Sequence, residues 1–409
     1  MSDVRIDGDR VVRRLQDLSA IGRDPRGGMS RFSFTPAHAQ ACVMVGGWLR
    51  EAGVDPAIDG AGNLIGVTPG RGPAISAGSH IDTVPMGGIY DGALGVVGAV
   101  ECAQALKDAG VALRRPYAVL AFADEEGHSF GIGCLTSRAV VGELGDDQMR
   151  AIHDRGGRTL AERAASWDCP LPRRAAPPLA AYLELHIEQG PRLQAEGLDA
   201  AAVTAIAGIS RTTVTFSGQA NHAGTTPMAT RHDALWGGAT LVLDIRGLAL
   251  ASAGAAVATV GKIEVEPGAT NVIPGIARVR VECRSGEESR LVGLRADVEA
   301  AAKTAARAHG LTVTIDPWDS LPPQPLDDAI RAFVLAHAAR RGLRAIAMPS
   351  WAGHDAKILA PHLPVGMIFV PSRDGISHSP DEFSSPEDIA SGVQVLMDTI
   401  MAIDAASPA

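Results

Sequence analysis

Thiols are scarce in this 409-residue chain, which carries only Cys42, Cys102, Cys134, Cys169 and Cys283. They are odd in number, scattered, and never arranged as C-x-x-C. That excludes a disulfide framework and a thiolate zinc site and favours reduced thiols. Basic charge is not in excess either. Lys and Arg number 37 against 46 Asp and Glu, for a net charge of -9, so no basic character points to nucleic acid. The opening residues, MSDVRIDGDR, hold no apolar stretch of the signal-peptide kind, and no uninterrupted apolar run is long enough to cross a bilayer. A cytoplasmic protein with no nucleic-acid or membrane partner is the expectation. There is no G-x-x-x-x-G-K-[ST] phosphate loop and no G-x-S-x-G nucleophile elbow, and Gly131-Ile132-Gly133 lacks the third glycine of a dinucleotide fingerprint.

What is present suits a large globular protein. Hydrophobic residues make up 46% and charged residues 20%, ample for a core, and the length predicts two domains. Helices are expected at 38–53 and 93–108, and strands at 62–68 and 75–81. Tyr117 to Ala123 is a continuous apolar run, suited to a strand buried on both faces of a parallel sheet. Residues 181–188 alternate, with Leu183, Leu185 and Ile187 on one face and Glu184, His186 and Glu188 on the other. From 209 the pattern changes to strand, helix, two strands, helix, strand (212–216, 228–248, 256–265, 276–284, 286–309, 311–316). That is the order of a ferredoxin-like split unit. A helix at 326–341, a strand at 365–370, a loop with His378 and a helix at 386–403 restore the first character. The fold class predicted is α/β: a doubly wound, mixed-parallel sheet domain (1–208 and 325–409) interrupted by an inserted ferredoxin-like α+β domain (209–324).

Residues that carry chemistry gather at one edge of the predicted sheet. His80, Glu125-Glu126, His186 and, further past its strand, His378 lie at carboxyl ends of strands, where open α/β sheets collect ligands. Asp91 sits in the glycine-rich loop after His80. Each has a bland alternative: a satisfied polar histidine, an acidic helix start, a plain turn at Gly87-Gly88. Together they make a set of imidazoles and carboxylates fit for divalent metals. Five ligand groups exceed the needs of one catalytic zinc and suit two metals sharing a bridging carboxylate.

The segments GSHIDTVPMGGIYDGALGV, FADEEGHSFGIGCLTSR, LELHIEQGP, GQANHAGTTPM, NVIPG, AGHDA and FVPSRDGISHSPDEF resemble the M20-type metallohydrolases. Within that family they are most similar to the N-carbamoyl-L-amino-acid hydrolases, allantoate amidohydrolases and β-ureidopropionases, in the right order along nearly the whole chain. The resemblance implies two divalent metal ions (zinc, manganese, cobalt or nickel), with His80, Asp91 and His186 holding one. Asp91 bridges to the other, which Glu126 and His378 complete. Glu125 is implied as general base, and Asp82 as the carboxylate that orients the His80 imidazole. The histidine in LELHIEQGP is what points to the carbamoylase branch. Arg284, Asn271, Gln189, His354 and His222 are implied as substrate contacts. His222 would reach the active site of a partner subunit and stabilise the oxyanion. Trp351 departs from the small residue expected before AGHDA. The inserted domain is implied as lid and dimerisation surface, its sheet edge pairing with a twin and hinges near 208–210 and 322–325 closing it. A carbamoyl group is a poor electrophile, so metal polarisation and a positioned carboxylate base suit its hydrolysis. The implied function is metal-dependent cleavage of a ureido C–N bond in a small carboxylate substrate, with ammonia and carbon dioxide released. An aminoacylase or dipeptidase of the same superfamily, and a catalytically silent binding protein of the same fold, are the alternatives.

Overall fold

A computed structural model describes residues 4–406. The chain forms two compact units, one running to Thr204 and resuming at Leu326, the other spanning Ala205–Pro325.

The first unit begins with α1 (Gly8–Leu18), capped by the Asp7 carboxylate, and α2 (Pro36–Glu51), where Thr35 caps and proline takes the first turn. The short antiparallel strands β1 (Asp55–Ile58) and β2 (Leu64–Val67) follow, then β3 (Ala74–His80), α3 (Ala93–Asp108) and β4 (Tyr117–Phe122). Helices α4 (Ser137–Val140), α5 (Asp146–Ala151) and α6 (Leu160–Ser166) fill the polar connection to β5 (Leu179–Ile187). After α7 (Arg192–Glu196) comes β6 (Ala200–Ile206).

The second unit contains β7 (Gly208–Ser217), β8 (Asn221–His222), α8 (Ala234–Ala251), β9 (Ala256–Glu266), β10 (Val272–Ile273), β11 (Ile276–Ser285), α9 (Glu288–Ala308), β12 (Thr312–Ile315) and β13 (Asp319–Leu321). Its main sheet runs β12-β7-β11-β9, all antiparallel, and α8 and α9 pack on it over Val214, Phe216, Val279, Val281 and Leu291. With its βαββαβ order this is a split unit. His222 lies on the separate β8–β10 ribbon, paired with Val272. The strand β14 (Gln324–Pro325) leads out of this unit.

The first unit then adds α10 (Asp328–Arg340), β15 (Ala345–Ser350), α11 (Ala356–Leu359), β16 (Val365–Val370) and α12 (Pro386–Ala406). Its sheet order is β1-β2-β4-β3-β5-β16-β6-β14, with β15 beside β6. Strands β4, β3, β5 and β16 are parallel and the flanks antiparallel. These four strands are buried throughout, apart from the first two residues of β5, as a sheet covered on both faces requires. Leu185 meets α3 at Gly95 and Gly98 and α12 at Gly392, while Glu184 on the opposite face accepts the Ala356 N–H of α11 at 3.0 Å. Both α8 and α12 are long and apolar enough by composition to span a membrane, which qualifies the sequence expectation; α12 is mostly buried within its unit.

Elements α1, β1, α7, β6, β8, β10, β13, β14, β15 and α11 were not expected. The Ala-rich Ala200–Ile206 segment has weak strand propensity, and only its burial in the sheet recruits it.

Candidate metal centre

Because β3, β4, β5 and β16 are adjacent and parallel, their carboxyl ends bring four sequence-distant segments together. His80 is the last residue of β3 and His186 the last but one of β5. Glu125 and Glu126 follow β4 after Asp124, whose φ of 57° turns the chain, and His378 follows β16 with φ 54°. Non-glycine residues in this region are costly and concentrate where a site demands them.

Asp91 stands at the centre. Its Oδ1 lies 3.4 Å from His80 Nε2 and 3.3 Å from His186 Nε2, and its Oδ2 lies 3.4 Å from His378 Nε2. His378 Nε2 is also 3.4 Å from Glu126 Oε1. His80, Asp91 and His186 thus form one cluster, and Asp91, Glu126 and His378 a second, each with ligand atoms within 4.8 Å of one another. The carboxylate of Asp91 offers one oxygen to each.

The tautomers fit a cation. His80 Nδ1 bonds the Asp82 carbonyl at 3.0 Å, and His186 Nδ1 the Ile187 carbonyl at 2.9 Å. With each Nδ1 donating to a carbonyl, each Nε2 is turned to the same Asp91 oxygen, where either a ring proton or a divalent cation can stand between imidazole and carboxylate. The residues present therefore fit divalent metal.

Burial by itself would raise Asp91, but contacts from His186, His378 and His80 outweigh it and hold the carboxyl well below the usual range. Glu125, beneath the surface, is pushed well up by burial, against the pull of His80 and with the nearby Asp355, Glu126 and Asp82 adding to the rise. Burial and the charge of Asp91 lift Glu126 to about 7. Asp91 and Glu126 raise His378 to about 9, against partial burial. So much negative charge in one buried pocket is the electrostatic counterpart of a cation site.

Glu125 Oε2 lies 3.6 Å from His80 Nε2, and its Oε1 accepts the Cys134 thiol at 3.1 Å. Asp82 meets both the His80 ring and the acidic dipeptide. The His80 ring is held by the Asp82 backbone carbonyl, with the carboxylate 3.7 Å away. That carboxylate accepts the N–H groups of Glu125 and Glu126, each at 3.3 Å. It thus holds the acidic dipeptide while lying beside the imidazole.

Gln189, itself at φ 57°, donates to Asp91 Oδ2 at 2.7 Å, and its buried carbonyl oxygen has no hydrogen-bond partner among the described residues. His354 is buried edge-on against the His186 ring, centroids 4.6 Å apart, and bonds Ser350 at 2.8 Å. Two residues escaped the sequence reading. Glu382 and Ser377 reach the Asp91 loop, and their place in GISHSPDEF, beside His378, was the available signal. Arg31 was also missed. Fully buried, it bonds the carbonyls of Ile81, Leu18 and Ile21 at 2.5, 3.1 and 2.9 Å and so clamps the turn after His80. No local pattern marks it.

His222, Asn271 and Arg284 belong to the second unit. His222 is exposed, and its Nδ1 accepts the N–H groups of Gly224 and Thr225 at 3.0 and 3.2 Å. Its ring proton is thereby assigned to Nε2, which is left to donate. Asn271 is exposed and its carbonyl accepts the Ala223 N–H. Arg284 Nε pairs with Glu282 at 2.7 Å, which Arg211 also meets at 2.7 Å.

Residues 77–402 match peptidase family M20/M25/M40. The chain belongs to this family. It is 38% identical to an N-carbamoyl-L-amino acid amidohydrolase of Geobacillus stearothermophilus over 97% of this chain and 98% of that one. It is 34% identical to an allantoate amidohydrolase of Escherichia coli K12, covering 94% and 95% respectively. Among solved structures, a hydantoinase/carbamoylase family amidase from Burkholderia ambifaria superposes with a TM-score of 0.93 at 32% identity, covering 98% of each chain. As an M20-family member the protein is a hydrolase of amide bonds.

Proposed function

We propose that this M20-family hydrolase cleaves the carbamoyl C–N bond of a small carboxylate-bearing substrate, such as an N-carbamoyl-L-amino acid or allantoate. Water is consumed; ammonia, carbon dioxide and the amine or its equivalent are released. The observation that carries the reading is the two-sided Asp91 carboxylate, one oxygen toward His80 and His186 and the other toward His378, with Glu125 beside it. The amidohydrolase relatives support the substrate class.

Two divalent ions, one held by His80, Asp91 and His186 and one by Asp91, Glu126 and His378, would polarise the ureido carbonyl and make water acidic enough to react near neutral pH. Glu125 takes the proton from that water and returns it to the leaving nitrogen. Gln189, with its free carbonyl oxygen, and Arg284 and Asn271 of the second unit orient the substrate, Arg284 through its carboxylate. His222 donates from Nε2 to the developing oxyanion of a partner protomer. Second-unit features support a homodimer. β9 forms the sheet edge opposite β12, and α8 exposes Leu243 and Leu250, 70% and 63% accessible, an apolar face suited to a second copy of the chain.

The deciding experiment is product release from allantoate, N-carbamoyl-L- and D-amino acids, N-carbamoyl-β-alanine and N-acetyl amino acids. Each is tested after chelation and again with manganese, zinc or cobalt restored. Ammonia from one ureido substrate, returning only with metal, is the expected result. Free amine from N-acetyl substrates, with silence on every ureido compound, would make the protein an aminoacylase instead.

A further inference from the structure

The two ligand clusters are built on unequal foundations. His80 and His186 stand on β3 and β5, fixed by sheet pairing with Phe122 of β4 and Phe369 of β16. Glu126 and His378 both stand on loops, and so does the shared Asp91. A loop-borne cluster needs its own tie to hold ligand spacing to a fraction of an ångström.

Glu382 has the geometry of that tie. It is buried, four residues beyond His378. Its Oε1 accepts the N–H groups of Tyr90 and Asp91 at 2.9 and 3.0 Å, both on the loop between β3 and α3. Its Oε2 lies 3.0 Å from Ser377 Oγ, which is also 3.0 Å from Asp91 Oδ2. That hydroxyl, next to His378, lies between the two carboxylates and can donate its one proton to either. The Phe383 ring adds an edge-to-face contact to Tyr90, centroids 6.2 Å apart. Gly88 completes the fit, because a Cβ there would overlap the Glu382 carboxylate.

We infer that Glu382 is a positioning residue that locks the Asp91 loop to the His378 loop and thereby supports the Asp91–Glu126–His378 cluster, which has ligands on both tied loops, more than the His80–Asp91–His186 cluster, of which it holds only Asp91. The inference rests on the two-ion reading above. Loss of an outer-shell partner costs roughly ten- to a hundred-fold in metal affinity, and here it falls more heavily on the cluster with ligands on both tied loops.

The test is titration of the metal-free full-length protein with zinc against a chromophoric chelator, with thermal melting followed in parallel. Wild type takes two ions. Glu382→Ala keeps one tight site within about threefold and weakens the other roughly ten- to a hundred-fold. Gly88→Ala, which displaces the carboxylate without deleting it, does the same. Glu382→Gln keeps an Oε1 acceptor for both N–H groups and recovers most of the second affinity. Wild-type affinity at both sites in Glu382→Ala and Gly88→Ala overturns the inference. So does equal weakening of both sites in all three variants, which would mark a general structural role. A wild type that binds fewer than two ions removes the two-ion reading itself, and this inference with it.

Discussion

Single side chains divide the chemistry by orientation. Glu125 and Glu126 are neighbours, yet one faces His80 and the other His378. Both backbone N–H groups rest on the Asp82 carboxylate, which fixes those opposed directions. Glu125→Gln keeps the shape and removes the base. Turnover should fall by roughly two to four orders of magnitude while metal content by mass spectrometry stays at the wild-type level; near-normal turnover would end the assignment. Arg284→Ala should act differently. If it grips the substrate carboxylate, KM for charged substrates should rise by about tenfold or more, worth about 1.5–3 kcal/mol for a charge-assisted bond, with little change for an uncharged analogue. Because Arg284 is already paired with Glu282, equal losses on both substrates would identify a purely structural ion pair.

At the level of elements, turns do the positioning. Gly92, at φ 64°, caps α3 where any Cβ would overlap the His80 ring, so the loop bearing Asp91 passes close to the first cluster only because glycine is there. Near the start of α2, His38 stacks on Trp167 at 4.8 Å and accepts the Phe34 N–H at 3.3 Å. Burial, helped by the charge of Arg31, lowers its pKa from 6.5 to about 3. A histidine that stays neutral when folded is protonated only after unfolding, so the unfolded chain binds the extra proton between pH 6.5 and 3. Its contribution is intact above pH 6.5 and is lost on acidification, at about 1.4 kcal/mol per pH unit. Urea melts of wild type and His38→Gln at several pH values should differ by about one proton in slope between pH 4 and 6. Parallel slopes would mean that His38 is protonated in the fold.

For the whole molecule, the proposed dimer ties catalysis to assembly, since His222 is read as acting across protomers. The double variant Leu243→Glu, Leu250→Glu places charge on an apolar face that is already exposed, so its fold should survive. Light scattering should report wild type at twice the chain mass and the variant at once, with turnover falling together with dimer content. A wild type that is monomeric at micromolar concentration, with full activity, would remove both the interface and the role of His222 in a partner's site.

The sequence by itself determined the parts whose signals are local. The continuous apolar run Tyr117 to Ala123 marked a strand buried on both faces, and the alternation across Leu183 to Glu188 marked a strand, although in the fold both of its faces are buried. The glycine-rich turns and the histidine- and glutamate-bearing motifs named the ligand candidates. Tertiary structure decided what depends on distance. Asp91 and His378 are 287 positions apart, and only the parallel order of β3, β5 and β16 lets one carboxylate face three imidazoles. The resemblance implies Asp82 as a partner of His80, and only the fold shows that its carboxylate also reaches across to the backbone after β4. Arg31 and Glu382 carry no periodic signal, because hydrogen bonds to distant loop backbones depend on where the chain returns and not on which residues lie nearby.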